Sequence, residues 1–200
     1  MVQTLASGGW IMLPLALCSI ISITIIVERW LFFRRIGRVH HADDLLALVR
    51  QGHMEQAQQK IGDADLPIIR VLHKGLDCRF CPGKAMETAG IAEVAGMRRG
   101  LAALDTIITL SPLLGLLGTI IGMIGSFQIM AASGIGQPHA VTGGVGEALI
   151  ATAAGITVAV ITLIPYNYFL TRVERETETI EQYATRLELA LQEQAAGTAS

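Results

Sequence analysis

Polar and apolar positions in this chain are sorted into long blocks rather than alternated. From Met1 to Val27 no side chain is charged, and Trp10 to Val27 is almost wholly apolar until Glu28 and Arg29 end the run. A second uncharged stretch follows Asp105 and lasts until Glu147. Its apolar part is Thr106 to about Ala132, and a Gly- and Pro-containing segment, Ser133 to Gly146, comes after it. The third runs from Ala148 to Thr171 and closes in Tyr166, Tyr168 and Phe169 just before Arg172. A hydrocarbon core of about 30 Å takes roughly 20 helical residues at about 1.5 Å each, so each run is long enough to cross it. Trp10 and Trp30 flank the first run where interfacial aromatic anchors belong. The pattern therefore predicts an all-α chain with membrane helices over 10–27, 106–132 and 148–170. An outer segment 1–9, a cytoplasmic helical region 28–105, a periplasmic loop 133–147 and a cytoplasmic C-terminal tail 171–200 complete the expected layout.

Between the runs the sequence changes character. The 28–105 region mixes charges of both signs and carries helix punctuation, not a strand-like period of two. Asp43 and Asp44 precede Leu45 to Val49, with Gly52 placed as a C-cap, and Asp65 and Pro67 introduce Ile68 to Leu76. Pro82 opens a segment in which Met86, Ala89, Val94 and Met97 recur at helical spacing, and no proline follows before Pro112. This predicts one long helix running into the second span. Val173, Ile180, Tyr183, Leu187 and Leu189 among Glu and Arg predict an amphipathic continuation of the third.

Composition agrees with the pattern. Of 200 residues, 52% are apolar and only 16% charged, which a soluble globule of this length does not match. The 15 Lys+Arg nearly balance the 17 Asp+Glu, so there is no basic field for nucleic acid and no acidic excess of the kind found in disordered chains. The placement of those charges matters more than their sum. All 15 Lys and Arg fall within 29–99 or after residue 171. By the positive-inside rule the N-terminus and the 133–146 connection face outward, and both charged segments face the cytoplasm. A retained first span, rather than a cleaved leader, is expected because no basic region precedes it and Arg29, Arg34, Arg35 and Arg38 follow it.

Candidate chemistry is sparse. Glu147 is the one acid outside the cytoplasmic charge clusters, and at helical rise it falls near the outer boundary of the hydrocarbon. An ionisable group there is costly unless it faces a cavity or a partner, although a Glu at a helix N-terminus is also favoured by the helix dipole. Both readings stand on position alone. Gly115, Gly118, Gly122 and Gly125 recur at intervals of three and four along the second run, which makes a face for close helix packing. Thr119 and Ser126 lie beside it. On the third run Thr152, Gly155, Ala159 and Thr162 share a side. Two helices with small, weakly polar faces imply tight assembly, either dry or around something hydrated. Cys78-Arg79-Phe80-Cys81 is a CxxC with His73 five residues before it. Because tetrahedral zinc wants four ligands and this supplies three at best, reduced cytoplasmic thiols are expected, with no metal. Cys18 reads as a small packing residue. No phosphate-cradling loop and no Ser/His/Asp arrangement is present, so neither an enzyme nor a cofactor is expected.

The stretch Leu110 to Met123, with Gly115-Leu116-Leu117-Gly118-Thr119 at its centre, resembles the second-span signature of the MotA/TolQ/ExbB proton-channel family. Gly146-Glu147-Ala148-Leu149-Ile150-Ala151-Thr152-Ala153-Ala154-Gly155 resembles that family's third-span motif. The likeness is best over 100–170 and weak over 40–85. It implies an ExbB- or TolQ-like subunit of the bacterial inner membrane, forming a homo-pentamer around the single spans of an ExbD- or TolR-like dimer and working with a TonB- or TolA-like protein. Proton flow would be converted into mechanical work for outer-membrane transport or envelope integrity. On this resemblance Glu147, Thr119 and Thr152 line the polar region facing the partner's essential aspartate. No Asp stands within these three spans, so the relay would need the partner's carboxylate. The resemblance leaves room for a flagellar-type stator, and the residues by themselves also allow a non-conducting membrane scaffold.

Overall fold

A computed structural model of the chain describes residues 10–36, 40–50, 66–78, 80–133 and 138–198. The described residues are all-helical: α1 (Met12–Arg35), α2 (His40–Arg50), α3 (Pro67–Asp77), α4 (Pro82–Met97), α5 (Leu101–Ser133) and α6 (Pro138–Thr198). Three stretches among them are long and apolar enough to cross a membrane: Met12–Arg34, Pro82–Ala131 and Gly143–Gln194. The outer segment 1–9, the expected cap Gly52, Asp65, and Gly134 and Gly136 of the 133–147 connection lie outside the described residues.

The chain divides into two compact units. The first comprises Met1–Arg29 and Gly100–Phe169 and contains the apolar runs. Its surface is rich in exposed aliphatic side chains: Leu13 and Ile20 on α1, Leu113 and Ile120 on α5, and Ile156 and Ile164 on α6. Apolar exposure on that scale needs a non-aqueous neighbour, lipid or protein. The apolar stretch of α1 ends in a Glu28–Arg29 ion pair whose Arg Nε stands 2.7 Å from Glu28 Oε2. Threonine and serine hydroxyls in these helices bond back to carbonyls three or four residues earlier, as at Thr24, Thr157 and Thr162. A hydroxyl is tolerated in apolar surroundings this way because its hydrogen is already used.

The second unit comprises Trp30–Arg99 and Leu170–Ser200. Here the helices are amphipathic. Ala42, Leu45, Leu46 and Val49 of α2 are buried at helical spacing, as are Ile68, Ile69, Val71, Leu72 and Leu76 of α3. Pro67 starts α3 at a position where its missing N–H costs nothing. Helix α3 packs on α4, and the Arg70 guanidinium holds Glu93 through two bonds of 2.7 and 2.6 Å. The last part of α6 buries Val173, Ile180, Tyr183, Leu187 and Ala190. Leu189, which the sequence pattern assigned to that face, is 54% exposed, and Ala190 holds the place instead. The buried positions 173, 180, 183, 187 and 190 step by seven, three, four and three, which keeps them on one helix face, and position 189 falls off it. The Tyr183 hydroxyl donates to Asp43 Oδ1 at 2.6 Å, and the Gln194 amide donates to the Val49 carbonyl.

Two expectations are corrected. The segment from Pro82 is not one continuous helix into the second span: α4 ends at Met97, residues 98–100 form a turn, and α5 starts at Leu101. Gly100 takes φ of 80°, a left-handed conformation that ends a helix and that a side chain disfavours. A methyl there would also stand 3.0 Å from Ile25. The helix containing Glu147 starts at Pro138, where the sequence reading placed a connection up to residue 147. Proline is well suited to a first helical position, and Gly143, Gly144 and Gly146 weaken a helix without stopping it.

Candidate functional site

The residues singled out in the second and third apolar runs come together within the first unit as an antiparallel seam between α5 and α6. Numbers rise along one helix as they fall along the other: Ser111 and Gly115 meet Gly155, Gly115 meets Ala151 and Thr152, Gly118 meets Ala151, and Gly122 meets Ala148 and Gly144. The backbones approach so closely because these positions lack side chains. A Cβ on Gly155 would lie 2.4 Å from the Ser111 carbonyl oxygen and 3.1 Å from Gly115 Cα, and one on Gly115 would lie 3.0 Å from Thr152 Cα. At Gly118 a Cβ would meet Ala151 Cβ at 2.7 Å, with Ile11 of the first unit next at 3.5 Å. Gly125 is different. No described residue lies within 4 Å of a Cβ built there, so it takes no part in the seam.

Hydroxyls punctuate the contact. Thr152 Oγ1 donates across it to the Gly115 carbonyl at 2.9 Å, a bond made by a side chain of one helix to the backbone of the other. Thr119, one turn beyond Gly115, turns its hydroxyl onto its own helix and donates to Leu116 O at 2.7 Å. Ser126 donates to Gly122 O at 2.9 Å and is buried where Gly144 passes. The buried Ser111 hydroxyl has no hydrogen-bond partner among the described residues. It precedes Pro112, a proline inside α5, which removes the N–H that would otherwise bond the carbonyl four residues back. Glu147 is half-buried, one residue before Ala148 and five before Thr152 on α6, and makes no ion pair or hydrogen bond with another described residue. Thus Thr152, Gly115, Gly118, Gly122 and Gly155 are in one seam, Thr119 and Glu147 stand on its helices with hydroxyl and carboxylate not joined to it, and Gly125 is outside it.

Sequence reasoning missed Ser111 and the small residues Ala148 and Ala151 that oppose the glycines. The signal was available: Gly144, Ala148, Ala151 and Gly155 recur every three or four residues, complementary to Gly115, Gly118 and Gly122. In the second unit, a groove of about 900 Å³ between α4 and residues 177–188 of α6 is lined by Met86, Gly90, Val94, Ile180 and Ala184, among others, and by none of the predicted site residues. Among the described residues no group of three or more His, Cys, Asp or Glu is placed to hold a metal ion.

An all-helical chain with three membrane-length apolar helices, two of them locked through small residues and a threonine bond, is a multi-pass membrane protein. The class is made specific by comparison. Residues 67–182 match the model of the MotA/TolQ/ExbB proton channel family, and the chain belongs to that family. It is 34% identical over 191 residues to biopolymer transport protein ExbB-like 3 of Synechocystis sp., spanning 92% of this chain and 91% of that one. It is likewise 34% identical over 197 residues to ExbB-like 1 of the same organism, covering 93% of this chain and 77% of the relative. Biopolymer transport protein ExbB of Xanthomonas campestris pv. campestris is 37% identical over 86 residues, 43% of this chain and 34% of its own. The chain is accordingly an ExbB-like membrane transport protein of a proton-channel family, a class that is typically non-enzymatic.

Proposed function

We propose that the chain is the proton-channel stator subunit of an inner-membrane energy-transducing complex, coupling proton-motive force to outer-membrane transport or envelope integrity. Membership of the family supports this reading, as does the charge distribution, which favours an outward N-terminus and a cytoplasmic C-terminus. In this reading five copies surround the spans of an ExbD- or TolR-like dimer, which passes work to a TonB- or TolA-like protein. Protons enter on the outer side near Glu147 and move along the interface with the partner's carboxylate, with Thr119 and Thr152 shaping hydration. The observation that carries the proposal is the half-buried Glu147, without a partner among the described residues, on the same helix as a threonine engaged at a glycine seam. A carboxylate at membrane depth is costly unless it faces a partner or a hydrated cavity.

The test uses the subunit co-purified with its single-span partner and reconstituted in liposomes under a proton gradient. Glu147→Gln, Thr119→Val and Thr152→Val are expected to lower proton movement that depends on the partner's Asp, while the assembled complex remains in the membrane. Full flux in all three variants would overturn the assignment. The inter-helix bond from Thr152 to Gly115 favours a second reading, a non-conducting scaffold in which that hydroxyl only fastens helices. That reading gains if Thr152→Val lowers stability and leaves flux unchanged.

A further inference from the structure

The CxxC segment takes no part in the seam, and the structure gives it a chemistry that the sequence reading set aside. Cys78 is the residue that ends α3, and Cys81 is the residue from which α4 starts. The two thiols face each other with Sγ atoms 2.9 Å apart. Cys78 is half-buried, Cys81 is exposed, and both are free. Phe80 between them is fully exposed.

We propose that Cys78 and Cys81 form a reversible dithiol–disulfide site that exchanges with low-molecular-weight disulfides and, when oxidised, ties the end of α3 to the start of α4. A metal site is disfavoured by the ligand set. His73 Nδ1 is already 3.0 Å from Asp77 Oδ2, and no third ligand joins the two sulfurs among the described residues. The contact is instead suited to an intramolecular bond: closing it requires the sulfurs to approach by less than about 1 Å, at a junction only a few residues long.

The two sulfurs are not equivalent. The hydrogen bond from the Cys81 thiol, helped by the backbone N–H groups of Cys81 and Phe80, lowers the Cys78 thiol below its ordinary value. The same bond, with desolvation next, raises Cys81. Either sulfur can open the exchange, and Cys78 is taken here as the first nucleophile. Its thiolate attacks one sulfur of a disulfide RSSR, forming Cys78–S–S–R and expelling RS⁻, which takes up the proton that Cys78 gave up. The Cys81 sulfur, losing its proton, then attacks the Cys78 sulfur and expels the second RS⁻, which is protonated in turn. The protein loses two electrons and two protons, and RSSR becomes two RSH.

This site stands independently of the proton-channel reading. It is tested on the purified, detergent-solubilised full chain equilibrated with oxidised and reduced glutathione, quenched with a maleimide and weighed intact and as peptides. Cys78 and Cys81 are expected to lose maleimide labelling together as oxidised glutathione rises, with the mass of two hydrogens lost and dithiothreitol restoring both. Cys18, buried in α1, serves as the internal reference. Cys81→Ser and Cys78→Ser are each expected to stop at a glutathionyl adduct on the remaining cysteine, without the loss of two hydrogens. The proposal is overturned if both thiols remain labelled at every glutathione ratio, or if non-reducing gels show only links between chains.

Discussion

Replacing Gly155 by Ala tests the seam where its geometry is tightest. The new methyl would stand 2.4 Å from the Ser111 carbonyl oxygen and 3.1 Å from Gly115 Cα. Both are backbone atoms, so no side-chain rotation relieves the overlap. Ordinary contact begins near 3.4 Å, and α5 and α6 must therefore separate by about 1 Å at this level. The bond from Thr152 to Gly115, now 2.9 Å, would be carried past the useful hydrogen-bond range by a shift of that size. Overpacking costs about 1–3 kcal/mol, and an inter-helix hydrogen bond in a membrane averages about 0.6 kcal/mol. The helix-propensity gain of about 1 kcal/mol for Gly to Ala offsets part of this, so the expected net loss is roughly 0.5–2.5 kcal/mol. Gly125→Ala is the matched control: its methyl meets no described residue, and helix propensity alone favours Ala by about 1 kcal/mol. Unfolding of both variants in mixed micelles, followed by circular dichroism against denaturing detergent, measures the difference. The reasoning fails if Gly155→Ala matches the parent protein, or if Gly125→Ala is destabilised as much.

Two further outcomes concern the second unit. The Tyr183 phenol is pushed up to about 12 by burial, then by the hydrogen bond to Asp43 and the Asp43 charge, with Arg186 opposing. Because the folded value exceeds the ordinary one near 10, stability from this bond is complete below pH 10 and is lost as pH rises through about 12. Tyr183→Phe should lower stability by about 1 kcal/mol at neutral pH and flatten that alkaline fall in a denaturant series; an unchanged alkaline fall would remove Tyr183 as its cause. Arg70→Ala breaks a two-bond ion pair with Glu93, but Arg70 is 44% exposed. A cost of about 0.5–1 kcal/mol, shrinking in high salt, is expected from thermal melts, and a salt-independent loss would mean that the arginine acts through packing.

The membrane-length helices could be read directly because their signal is long: an uncharged run of about 20 residues has few alternatives. Helix ends were harder. A proline can begin a helix as readily as it can mark a loop, and at Pro138 the first use prevailed, extending α6 well before the residue where the sequence pattern begins it. At Gly100 the opposite occurred. A single glycine between arginines and an apolar run carries no warning in the periodicity, yet its positive φ divides α4 from α5. The glycine face was legible as a spacing, but spacing cannot say how far a contact extends, and Gly125 lies beyond its end. Leu189 shows the limit for amphipathic helices. Counting apolar residues selects it, whereas the three-and-four register that governs burial selects the smaller Ala190.

The two threonines of the α5–α6 region have each committed their only hydrogen, Thr152 to the Gly115 carbonyl and Thr119 to the Leu116 carbonyl. What they offer outward is lone pairs. A group that hydrogen-bonds to either of these hydroxyl oxygens has to bring its own hydrogen.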